Sequence, residues 1–190
     1  MRAIPPILAA ILLMSFAASA VAAIDEDETP IAVQVKKVDE LVTVDAQFTV
    51  AVSQQLAWDV LTNFEHMARF ISNVKSSRVT SINGDKLQVE QKGVANHGPL
   101  SFSFDSVREI ELKPIEKISS RILSGSMKKL DGITRLMADG AGTRVVYHAD
   151  SIPNSYVPPI IGPKFIENES RHQFEEMRTE MLKRKRAGTQ

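Results

Sequence analysis

Four histidines, His66, His97, His148 and His172, are the side chains best suited to proton transfer or metal binding near neutral pH. No two of them have the i, i+4 spacing that puts a pair of imidazoles on one helix face, and none neighbours a cluster of acids that would complete a ligand set. No metal site and no cofactor are therefore expected. The chain contains no cysteine, which removes disulfides, thiolate ligands, cysteine nucleophiles and cysteine-linked lipids together. Ser124-Gly125-Ser126 lacks the two flanking glycines of a nucleophile elbow, so a hydrolase has no anchor here. Neither form of glycine-rich phosphate loop occurs. Asn168-Glu169-Ser170 matches a glycosylation sequon, but it falls within a helical pattern, where the match is read as chance.

Chemistry is left to polar side chains that interrupt apolar faces. Arg108 shares parity with Phe102, Phe104 and Ile110. Two readings stand: a β-bulge shifts the register and turns Arg108 to solvent, the commoner outcome, or an arginine sits at a pocket mouth and pairs with a polar ligand head. Tyr147 and His148 are adjacent on one strand, so only one points inward; Tyr147 shares parity with Val145 and is the inward choice. His97 lies in a loop, at a rim. Trp58 is expected to be core, since Ala57 and Leu61 mark a buried face.

These residues need elements to position them. Val42, Val44, Ala46, Phe48, Val50 and Val52 alternate with polar residues, the mark of a half-buried strand over 42–52. Ser53 then caps a helix whose Leu56, Val60 and Phe64 recur at helical spacing, and a second short helical piece over 67–71 follows a break near Asn63. Asn83-Gly84-Asp85 joins strands at 79–82 and 87–89 in a hairpin. Strands over 100–112, 118–127, 130–138 and 143–149 follow, the last two joined by a turn at 139–142. The count is about seven strands, antiparallel because the links are short. Four prolines break 152–163, and residues 164–184 form a long helix with Ile166, Phe174, Met177 and Met181 on one face and Ser170 between them. The class is α+β, a curved antiparallel sheet against one long C-terminal helix. Small residues at inward positions, Ser106, Ser120, Ser124, Ser170 and Gly132, leave room for a pocket of roughly 300–1,000 Å³.

Basic and acidic residues balance, 23 against 23, which gives no electrostatic footprint for nucleic acid. The opening Met1-Arg2, the apolar run to Ala18 and the small residues to Ala23 read as a secretory signal peptide, cleaved after Ala23 or, second, Ala20. An uncleaved anchor is the alternative, opposed by a run shorter than the roughly 18–20 residues that span a bilayer. The divisions expected are a signal peptide over 1–23, an N-terminal arm over 24–41, one domain over 42–184 and a basic tail over 185–190. Lys183 to Arg186 are all basic, a solvated end or a weak contact for an anionic membrane surface.

The segment Ala57-Trp58-Asp59-Val60-Leu61-Thr62-Asn63-Phe64, led by the strand ending near Val52, resembles the opening of the START-like, polyketide-cyclase (SRPBCC) superfamily. The C-terminal Phe165-Ile166 and Phe174-Glu175-Glu176-Met177 are similar to its closing helix, and the nearest branch is the coenzyme-Q-binding START-domain family. The resemblance implies a helix-grip fold whose long helix closes a cavity for an apolar ligand. Residues expected to line it are Phe64, Phe70, Phe102, Phe104, Arg108, Tyr147, Ile161, Phe165, Ser170 and Phe174. The expected function is an exported, periplasmic carrier of a lipid, isoprenoid or quinone, with no catalytic residue assigned. The alternatives are a cyclase or aromatase using Arg108, Tyr147 and His97, and a membrane-associated interaction module with a filled core.

Overall fold

A computed structural model describes residues 30–97, 100–154 and 162–188. The segment read as a signal peptide and Ile161 lie outside the described residues. Among those described, the strands are β1 (Ala32–Val38), β2 (Leu41–Val50), β3 (Val74–Asn83), β4 (Lys86–His97), β5 (Leu100–Lys113), β6 (Lys117–Gly125), β7 (Met127–Asp139) and β8 (Gly142–Pro153). Helix α1 (Gln54–Leu61) and a 3-10 helix (Phe64–Arg69) stand between β2 and β3, and α2 (Pro163–Gly188) closes the described chain.

The strands form one antiparallel sheet in the order β1-β2-β8-β7-β6-β5-β4-β3. The link from β2 to β3 therefore crosses the full width of the sheet, carrying the two short helices with it. α1 starts where expected: the Ser53 hydroxyl accepts the Leu56 N–H at 3.2 Å, supplying one orphan N–H of the first turn with an acceptor. Its Ala57, Trp58, Val60 and Leu61 are buried, so the single tryptophan is core.

Among the described residues the count is eight strands, one more than the sequence suggested. The extra strand is β1, inside the segment read as an arm. It pairs with β2 from Ala32 opposite Gln47 to Val38 opposite Leu41. Ile31 and Val33 are buried and Val35 packs on the core, a short alternation that Pro30 and the acidic run before it obscure. At the other end, α2 runs through Gly188, so the expected basic tail is helical over most of its length.

Two irregularities shape the concave face. At Gly93 a Cβ would lie 2.2 Å from Phe104 Cζ and 2.3 Å from the Asn73 carbonyl oxygen, so only glycine lets the Phe104 ring and the 73 segment press on β4. The second is a fork between β6 and β7. They pair only from Lys117 opposite Arg135 to Arg121 opposite Asp131. Beyond that, β6 stays with β5 as far as Gly125 opposite Ser106, and β7 stays with β8 as far as Met127 opposite Pro153. The strands are unpaired over 122–125 and 127–130 and rejoin at Ser126, whose hydroxyl donates to Asp105 Oδ1 at 2.7 Å.

Helix α2 is tied to the sheet along its length. The Phe174 ring meets Phe48 at 5.8 Å and Tyr147 at 5.2 Å between centroids. Arg171 donates to the Ile31 carbonyl and, at 2.8 Å, to Glu167. Glu176 accepts the Ser72 N–H at 3.0 Å. No helix among the described residues is long and apolar enough to cross a membrane.

Candidate functional site

A cavity of about 290 Å³ lies between the sheet and α2. Leu61, Phe64, Met67, Ile71 and Val74 close one end, Phe104, Ile110 and Ile118 form the sheet wall, and Met127 and Leu130 come from the fork. Ser170, Gln173, Phe174 and Met177 of α2 cover it. Most of this lining is apolar, as small-molecule sites usually are.

Of the residues expected from the sequence, Phe64, Phe104, Arg108, Tyr147, Ser170 and Phe174 line the cavity. Phe102 does not. It packs on Phe165 at 6.2 Å between centroids, outside the lining. Phe70 is also misplaced: it follows the 3-10 helix and lies under the Arg184 guanidinium, 5.8 Å from ring centre to charge, on the outer side of α2. The turn that caps the 3-10 helix carries Phe70 away from the face that Phe64 occupies. Of the small residues, Ser106 and Ser120 line the cavity and Ser124 is exposed. Gly132 is buried opposite Ser120, where a Cβ would meet the Ser120 hydroxyl at 2.7 Å.

Arg108 is the polar centre. The anticipated bulge is present, but it lies in β6 rather than β5. Val107 faces Ser124 and Arg108 faces Ile122, so Leu123 is the inserted residue and is turned outward. Arg108 keeps its inward parity, and the expectation that a bulge rotates it to solvent is overturned. Its Nη2 donates to Gln91 Oε1, while its Nε is enclosed and has no hydrogen-bond partner. Gln91 is in turn held by its amide nitrogen, which donates to Ser77 Oγ at 3.0 Å and Met67 Sδ at 3.2 Å. Gln91 and Ser77 are both buried and face one another across β3 and β4. Nothing in the sequence reading singled out Gln91; the available signal was a polar residue in the parity row of Val89 and Gly93.

Burial pulls the Arg108 guanidinium below its ordinary pKa, with the Tyr147 hydroxyl opposing the shift. A guanidinium starts so high that it stays charged at neutral pH. Burial likewise pushes the Tyr147 hydroxyl above its ordinary value, so it stays protonated and can donate. His97 ends β4 rather than lying in a loop, and the other three histidines lie away from the cavity. His66 bonds Asn63 at 2.8 Å, His148 bonds Asp45 at 2.7 Å on the outer face, and His172 lies 3.2 Å from Glu176. Among the described residues, no three histidine, aspartate or glutamate side chains converge as a metal site.

The match to known proteins follows the same outline. Residues 50–178 fit the sequence model described as polyketide cyclase / dehydrase and lipid transport. The chain belongs to this family. No curated protein matches it in sequence. Among solved structures, the STAR-related lipid transfer protein of Xanthomonas axonopodis aligns with a TM-score of 0.67 at 14% identity, covering 80% of this chain and 93% of that one. The Zhui aromatase/cyclase of Streptomyces sp. R1128 aligns at 0.66 and 18% identity, covering 78% and 98%. A START superfamily protein of Mycobacterium smegmatis aligns at 0.63 and 15%, covering 74% and 97%. At these identities the likeness is one of fold, the helix-grip fold. Family membership supports binding of hydrophobic small molecules such as lipids. Transport proteins and cyclases both occur among these relatives.

Proposed function

We propose that this family member is an exported, periplasmic binding protein that holds a lipid, isoprenoid or quinone in the cavity under α2. The carrying observation is the cavity of about 290 Å³, walled mainly by apolar side chains and covered by a helix that interlocks through Phe174. Burying apolar ligand surface at about 25 cal/mol per Å² supports useful affinity with few polar contacts. Export rests on the N-terminal pattern of 1–23, with its short apolar run and small-residue cleavage site. Native mass spectrometry and solvent extraction of the purified protein test the binding reading. A co-purifying apolar molecule is expected; an empty protein that shows no saturable binding of lipids or quinones overturns it.

A second reading, a cyclase or aromatase acting on a polyketide-like substrate, is favoured by one observation. Arg108 and Tyr147 bring a fixed cation and a protonated hydroxyl into the same apolar space, groups that general acid catalysis can use. The two readings separate on what leaves the pocket. A carrier returns its ligand chemically unchanged, whereas an enzyme converts it at a rate that falls when Arg108 and Tyr147 are replaced. The membrane-module reading has less support: Lys183 and Arg184 are paired with Glu180, and Lys185 donates to the Ala51 carbonyl.

A further inference from the structure

The cavity contains an unbalanced charge. Arg108 forms no ion pair with any described carboxylate, and its one hydrogen bond, to Gln91, is to a neutral group. Among the described residues, Asp105 is the one acid along the cavity wall; it is exposed and occupied by the Ser126 hydroxyl. A half-buried cation without a counter-ion is partly desolvated, and a negative group brought into contact with it offsets that cost. The guanidinium lines the cavity and, beyond its bond to Gln91, has donor capacity left unmet. Gln91 fixes the guanidinium from behind, since its own amide is held by Ser77 and Met67. The site is thus oriented as well as charged.

We propose that the ligand is a mono-anionic amphiphile, with a carboxylate head seated on the Arg108 guanidinium and an apolar body against Phe64, Phe104 and Phe174. This rests on the cavity-binding reading above and narrows it from apolar molecules in general to acids. One fixed cation neutralises one carboxylate; a phosphate dianion would leave a surplus negative charge in an apolar space. The Tyr147 hydroxyl, held protonated, is a second donor on the cavity wall. Size argues the same way. A volume of about 290 Å³ lies at the lower end of the roughly 300–1,000 Å³ range of small-molecule sites, which suits one medium-length chain.

The test is a head-group series at constant tail on the delipidated full chain: decanoate, decanol and decyltrimethylammonium, titrated by calorimetry at pH 7.5. Decanoate is expected to bind about tenfold or more tightly than decanol, with the ammonium weakest. Arg108→Met keeps the length and removes the charge. It is expected to weaken decanoate on the order of 30-fold while decanol changes little, with circular dichroism checking the fold. Equal binding of decanoate and decanol by the unaltered chain overturns the acid assignment and leaves the cavity reading intact. So does an unchanged preference in a folded Arg108→Met. No saturable binding of any of the three overturns the cavity reading, and this inference with it. The series on the unaltered chain decides the matter even where the variant does not fold.

Discussion

At the scale of single residues, the site is built by a few side chains that each hold two partners. Phe174 is the clearest case. It is buried, lines the cavity and touches both Phe48 and Tyr147. Phe174→Ala is expected to cost about 3–5 kcal/mol, because the truncated ring leaves a void that merges with the existing cavity and cannot collapse. Thermal unfolding checks this; a cost under about 1 kcal/mol means that α2 is not locked through this ring. The same scale shows what could be read in advance. The inward parity of Phe104 and Tyr147 follows from strand alternation alone. Arg108 was harder, because its orientation depends on which of two paired strands carries the extra residue. That residue is Leu123, on a strand whose register the Arg108 neighbourhood does not encode. Gln91 was illegible for a similar reason: its role appears only when β3, β4 and β5 lie side by side.

At the scale of elements, β1 and the fork carry the lesson. Ile31, Val33 and Val35 alternate as a strand should, but three positions after a proline are a weak signal beside the ten-residue pattern of β2. The fork was invisible because the sequence of β6 and β7 reads as a continuous hairpin, and the separation arises from their competing partners. It has a measurable consequence. Amides of β6 and β7 that face one another should be protected from exchange between Lys117 and Arg121, and should exchange faster over Ile122–Leu130 where the cross-pairing ends. Uniform protection along both strands would contradict the fork.

The tie between α2 and β1 predicts an acid response. Hydrogen bonds from Lys164 and Arg171 hold the Glu167 carboxyl below its ordinary value. A depressed folded pKa contributes stability that is present above the unfolded pKa of about 4.5 and is lost as pH falls through the folded value. Glu167→Gln should therefore lower the melting temperature at neutral pH, and its deficit against the unaltered chain should shrink as pH falls below about 4.5. A deficit independent of pH would assign the effect to packing rather than to the charge. Glu180 should behave alike: its partial burial pushes upward, but the hydrogen bonds from Arg184 and Lys183 outweigh it and leave it depressed.

At the scale of the whole molecule, an empty space under a gripping helix sets stability against binding. Core volume left unfilled forgoes dispersion contacts and apolar burial, so a chain selected only for stability would fill it. Ser106, Ser120 and Thr134 instead keep the sheet wall low, with Gly132 leaving no side chain opposite Ser120. Filling the space should move two observables in opposite directions. Ser106→Val combined with Thr134→Leu is expected to raise the stability of the ligand-free chain by about 0.5–2 kcal/mol, as cavity-filling substitutions commonly do. The same variant should lose the stabilisation that a ligand confers, which for the unaltered chain reaches about 2.7 kcal/mol at a hundred times the dissociation constant. Thermal melts with and without decanoate read both effects in one experiment. A filled variant that gains stability and still responds fully to decanoate would place the binding site elsewhere on the molecule. One that loses both stability and response would mean the serine and threonine hydroxyls serve the fold itself rather than keep the cavity open.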